Sequence, residues 1–146
     1  MYRIIALLCL GLTTATAHAE EWMVKKKLAV SFDDAKESVV MAIENRGLVI
    51  NYTSHIADML ARTGSDIGAT RQIFDKAEIV EFCSAKLSRK MMEVDPHNIV
   101  LCPFAISIYT LPGEKNTTWL AYRLPKGEAA KLVAPLFKEI AAEVGQ

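Results

Sequence analysis

Residues 77–124 read AEIVEFC (77–83), SAKLSRKMMEV (84–94), DPHN (95–98), IVLCPFAISIYTL (99–111), PGEKN (112–116) and TTWLAYRL (117–124). Ala77 to Cys83 has the apolar alternation of a strand. Ser84 follows as a helix cap, with Leu87, Met91 and Val94 at helical spacing behind it. Asp95-Pro96-His97-Asn98 is a turn that stops this helix. Ile99 to Cys102 and Phe104 to Leu111 are predicted as strand material interrupted by Pro103, which marks an edge or a bulge. Pro112-Gly113 opens a hairpin, and Thr117 to Leu124 returns as another strand. A hairpin after a strand-helix-strand unit demands antiparallel pairing, and this decides the fold class.

Upstream of this segment helices and strands alternate. Residues 23–31 (MVKKKLAVS) are predicted as a strand, and Ser31 with Asp34 has the S-x-x-[DE] form of a helix start. Ala35, Val39 and Ile43 follow at helical spacing, and Gly47 closes that helix in the left-handed conformation. Leu48 to Tyr52 is a strand, and Ser54 is expected to cap a short helix with Ile56, Met59 and Leu60 on one face. Residues 64–76 are polar and glycine-containing, and read as a loop. The last helix spans about 127–144 with Leu132, Leu136 and Ile140 along one face. Pro135 inside it predicts a kink or a break. The order β-α-β-α-β-α-β-β-α gives an α+β two-layer sandwich, with a mixed, mainly antiparallel sheet and helices on one face.

The N-terminus reads as an export signal. Met1-Tyr2-Arg3 is a short basic start, Ile4 to Leu12 is apolar, and Ala17-His18-Ala19 supplies an A-x-A site before Glu20. A membrane anchor needs about 20 apolar residues, roughly twice this run. Bulky Leu8 in front of Cys9 argues against a lipoprotein. The expectation is a cleaved signal over residues 1–19, one compact domain over 20–146, and a periplasmic or secreted location. Removing residues 1–19 from 146 leaves 127, enough for one domain with a modest core. It also removes Arg3 and no acid, so 17 basic residues become 16 against 17 acidic ones. A net charge near −1 argues against a nucleic-acid partner. Lys25-Lys26-Lys27 reads as a solvated strand edge, being short of the roughly 4–8 cations of a lipid-binding cluster.

Cleavage leaves Cys83 and Cys102, and in an oxidising compartment two cysteines are candidates for a disulfide. Such a bridge would close a loop of about 20 residues, for which chain entropy gives roughly 3 kcal/mol. It requires the Cα atoms to come within about 7 Å. The alternatives are unpaired buried thiols, or a reactive thiol or metal ligand. Cys83 is the better functional candidate, because it ends a strand where a helix begins and the helix dipole favours a thiolate. His55 and His97 have no i,i+4 partner, and neither C-x-x-C nor C-x-x-C-H is present, so zinc spacing is absent. A copper or haem contact through Cys83, a Met or a His remains an alternative, and the cofactor is unknown. His55 reads as the first residue of its helix and His97 as a turn residue. Met59, Met91 and Met92 read as core filler. No G-x-S-x-G, Gly-rich phosphate loop or H-E-x-x-H occurs, so no catalytic residue is assigned.

The run Ile79-Val80-Glu81-Phe82-Cys83-Ser84-Ala85-Lys86-Leu87, then Met91, Asp95-Pro96, Ile99 to Pro103 and a strand-turn-strand, resembles the Domain of Unknown Function 302 family. Phe32-Asp33-Asp34-Ala35 and the exit at Gly47 fit the same pattern, so the resemblance covers about residues 24–124. It implies a compact α+β fold and a homodimer, with no function assigned. Some members carry a second Cys just after the Pro of the later strand. Here Phe104 stands there, and Cys102 precedes the Pro on the opposite face of an extended chain.

Together these readings point to an exported, non-enzymatic ligand-binding or accessory module that is not membrane-embedded. A pocket near Cys83 for a small molecule, or a surface for a protein partner, would serve it. The rivals are a thiol-redox or sulfur-carrier protein using Cys83, and a metal- or haem-contacting periplasmic protein.

Overall fold

A computed structural model describes residues 22–145. The signal expected over residues 1–19, and Cys9 with it, lies outside the described residues. The elements follow the expected order: β1 (Met23–Leu28), α1 (Phe32–Glu44), β2 (Val49–His55), α2 (Ile56–Gly64), β3 (Lys76–Cys83), α3 (Ala85–Val94), β4 (Phe104–Thr110), β5 (Thr118–Arg123) and α4 (Gly127–Glu143). Short 3-10 turns occupy Ser65–Ile67 and Pro96–Leu101.

Five strands form one sheet in the order β1-β5-β4-β3-β2, and every neighbouring pair is antiparallel. The expected mixture thus resolves to a purely antiparallel sheet. Its edges are β1 and β2. Alternation in β3 sends Val80 and Phe82 to the helix side, where they are fully buried. Across the ladder Val80 faces Ile106 and Phe82 faces Phe104. Ala35, Val39 and Ile43 of α1, Met91 of α3, and Val133, Phe137 and Ile140 of α4 close one core with them. Phe137 is its centre. Its ring meets Phe82 at 6.0 Å and Phe104 at 5.8 Å edge-on, and stacks on Tyr122 at 4.9 Å. Both arrangements are favoured by the ring quadrupole.

The local signals explain the helix starts. Ser31 Oγ accepts from the Asp34 N–H at 3.1 Å, and Ser84 Oγ accepts from the Leu87 N–H at 3.3 Å. Each bond satisfies a backbone donor that the first turn leaves open. Gly47 takes φ +67° as α1 ends, a conformation in which glycine is unstrained. Lys26 departs from the solvated edge expected of the lysine run. Its Nζ donates to the Ala141 carbonyl at 2.7 Å and to the Val144 carbonyl at 2.8 Å. Those carbonyls are the ones left open at the end of α4.

Four expectations need correction. Ile99 to Cys102 is not strand. Asp95 accepts from the His97 N–H at 2.9 Å, and Pro96 fits the first helical position, so a 3-10 turn forms instead. Ser54 lies inside β2, and His55 occupies the cap position of α2 without a side-chain cap bond. The 64–76 stretch contains a 3-10 turn before β3 begins at Lys76. Pro135 does not break α4, which runs on to Glu143 because Val133, Phe137 and Ile140 on either side of it are all buried.

Candidate functional site

The two cysteines come near each other without bonding. Both are free thiols and half-buried. The β3–β4 register pairs Phe82 with Phe104, so a continued ladder would set Cys102 opposite Ser84 and not opposite Cys83. Cys102 instead ends the 3-10 turn, its N–H donating to the Ile99 carbonyl at 3.0 Å. Its Sγ lies 3.2 Å from Ser88 Oγ of α3. Of the alternatives offered for Cys83 and Cys102, the structure shows two unbonded thiols and no disulfide. Burial pushes the Cys83 thiol above its ordinary pKa, and the neighbouring Cys102 pushes it further. That is opposite to the thiolate expected at a helix start. Ser84 is the cap, Cys83 sits one residue before it, and desolvation is the largest cause of its raised pKa.

The larger feature lies beside Cys102, where β4 and β5 part. Their ladder pairs Ser107 with Ala121, Ile108 with Leu120 and Tyr109 with Trp119. Beyond it, Phe104–Ile106 and Tyr122–Arg123 are strand residues outside that ladder. A cavity of about 340 Å³ opens at this point, walled by Leu101, Pro103 and Leu124 and floored by Phe104, Val133 and Phe137. A second, of about 490 Å³, adjoins it on the helix-free side of the sheet and includes Ile79, Glu81, Cys102 and Ser107. Trp22, Val100, Pro103, Ala105 and Arg123 line both, which makes them one groove. Trp22 is 58% exposed and Val100 80%, so the rim is an apolar lip open to solvent. The Trp22 carbonyl is tied down by the Leu124 N–H at 2.9 Å.

Sequence reasoning placed no binding role on Trp22, Val100 or Arg123. The available signal was the outward set Trp119-Ala121-Arg123 in β5, which ends on a cation beside apolar neighbours. Glu81 was read only as part of a strand; here its carboxylate accepts from Ser54 Oγ at 3.4 Å.

A polar cluster lies away from the groove. Glu78, mostly buried, holds His55 Nδ1 at 3.3 Å and Lys36 Nζ at 2.6 Å. The lysine contact lacks hydrogen-bond alignment, so it is an ion pair between α1 and β3. His97 is an exposed turn residue. Met91 is fully buried core, whereas Met59 is 38% exposed. Among the described residues, no group of three or more His, Cys, Asp or Glu could hold a metal ion, and no helix is long and apolar enough to cross a membrane.

No curated protein matches this chain. Among solved structures it is similar to the uncharacterized conserved protein DUF302 from Bacillus stearothermophilus, with a TM-score of 0.66 and 13% identity. That similarity covers 84% of this chain and 95% of the other, and it bears on the fold alone. The family described as domain of unknown function DUF302 matches residues 24–146, nearly the whole of the α+β unit described above. The chain therefore belongs to the DUF302 family.

Proposed function

We propose that this protein is a non-enzymatic binding module that takes a small, largely apolar molecule into the groove between β4 and β5. The observation that carries this reading is the pair of contiguous cavities, about 340 and about 490 Å³. Both volumes fall in the range of about 300–1,000 Å³ typical of ligand sites. Their lining is mainly apolar with a few convergent polar groups, the usual composition of such a site. Phenylnaphthylamine, an uncharged probe that fluoresces when desolvated, tests it directly. Uptake with quenching of Trp22 emission is expected, and Ala105→Leu, which fills the shared wall, abolishes it. Uptake unaffected by Ala105→Leu overturns the assignment.

Export and assembly belong to the same proposal. The basic start, short apolar run and Ala17-His18-Ala19 site support secretion to the periplasm or medium. Mass spectrometry of protein from its native host should then find Glu20 as the first residue. The homodimer implied by the family resemblance is supported by β2, an edge strand on which Val49 is 65% and Tyr52 63% exposed. An exposed apolar edge of this kind is a template for pairing with another chain. Pairing there leaves the Trp22 groove free, and light scattering at two protein masses per particle is the expected result.

A second reading rests on the two unbonded thiols: Cys102 is close enough to Cys83 to raise the pKa of Cys83. A redox or sulfur-carrying role through Cys83 would use that proximity. The raised pKa of Cys83 weighs against it, since the thiolate is the nucleophile.

A further inference from the structure

We propose that the natural ligand of this groove is an amphiphilic monoanion, an apolar body with one carboxylate or comparable oxyanion head, held by Arg123. This rests on the groove being a binding site and adds the chemistry of what fills it. Arg123 is exposed at the wall common to both cavities, and its guanidinium has no hydrogen bond or ion pair among the described residues. The other arginines engaged in ion pairs, Arg46 and Arg89, meet Glu143 and Glu93. A guanidinium offers a planar pair of donors matched to a carboxylate, and it holds that anion better than a point charge does.

The polarity of the groove sets the orientation of the ligand. Behind Arg123 the smaller cavity runs to Phe104, Val133 and Phe137, with no acidic side chain in its lining. The larger cavity carries Glu81, which repels an anionic head from that end. Lys126 lines the smaller cavity and stands at the cap position of α4, where no side chain caps the helix. The positive end of a helix of this length adds to the attraction for an anion. Glu128 in its first turn is engaged by Lys131 at 2.7 Å. The head therefore sits at Arg123 and the apolar body points toward Phe137. Lys126, the other cation in this lining, is engaged in an interaction of its own, so one arginine and an apolar floor suit a single negative charge, and a polyphosphate would need further cations.

Two probes with one aromatic body separate this proposal from the one beneath it. Phenylnaphthylamine is neutral, and anilinonaphthalene sulfonate has a related body plus one sulfonate. Both are titrated into the full protein by fluorescence, with decanoate as competitor. The sulfonate is expected to bind about tenfold more tightly than the neutral probe, equivalent to about 1.4 kcal/mol. Decanoate displaces it, and its affinity falls as salt rises. Arg123→Met removes the charge preference, so that this variant binds the sulfonate no more tightly than it binds the neutral probe. The salt series on the unaltered protein gives the same reading without any variant. Neutral uptake with no preference for the sulfonate overturns the anion assignment and leaves the groove standing. Absence of uptake of either probe removes the groove reading and this proposal with it.

Discussion

Cys83 shows how a local signal can point the wrong way at the scale of one residue. A thiol at a strand end before a helix should have its thiolate favoured by the dipole. Here the cap position belongs to Ser84, which is buried and satisfies the Leu87 N–H itself. Cys83 is left one step outside, desolvated and beside a second thiol, and its pKa rises. Two consequences follow from the sign. Alkylation of Cys83 by iodoacetamide at pH 7 should be slower than that of a small-molecule thiol, with its rate rising at higher pH than usual. A faster rate would favour the redox reading. The folded state also keeps the Cys83 proton more tightly than the unfolded chain does. Stability from this source is complete below the ordinary thiol pKa and is lost as pH rises through the folded value. Glu78 carries the complementary lesson. The strand pattern assigned this carboxylate no partner, yet it ties α1 through Lys36 and the start of α2 through His55.

At the scale of elements, the order was legible because each helix and strand carries its own period and its own punctuation. Ser31, Ser84 and Gly47 act as their side chains and backbone freedom dictate: the two serines are the observed N-caps, and Gly47 takes a positive φ just past the end of α1. The failures cluster where two local preferences compete. Ile99-Val100-Leu101-Cys102 has strand composition, but the Asp95-Pro96 cap upstream commits the chain to a 3-10 turn first. Val100 and Ile99 are then turned outward, 80% and 60% exposed, and the rim of the groove is made of residues expected in a sheet. Pro135 is the opposite case, a strong breaker overridden by packing. It is exposed in a helix whose buried side chains lie on either side of it in sequence. Its missing N–H and its ring still cost stability, which the core contacts of α4 offset. Pro135→Ala should therefore raise stability by about 1–3 kcal/mol, read as a shift in urea midpoint at constant slope. No gain would mean that the helix is already relaxed around the proline.

For the whole molecule, the sheet's connectivity was foreseeable and its opening was not. A late hairpin after alternating elements leaves few sheet arrangements, and the antiparallel one was among them. The groove depends on where the β4–β5 ladder stops, and periodicity carries no information about that. What bridges the parted strands is α4, and the contact that seats it is Phe137. This ring is 4% exposed, meets Phe82 and Phe104 edge-on, stacks on Tyr122 and forms the floor of the smaller cavity. One side chain thus closes the core and shapes the site. Phe137→Ala should cost about 3–5 kcal/mol, the range for removing a buried aromatic ring. Phe137→Leu refills most of the volume and should cost about half of that or less. If the groove and the core share this floor, the two variants separate stability from capacity. Phe137→Leu stays folded and takes up more phenylnaphthylamine than the unaltered protein, because a smaller side chain lengthens the cavity. Unchanged uptake by a folded Phe137→Leu protein would show that the site ends short of the core, and that α4 holds the sheet without shaping what binds there.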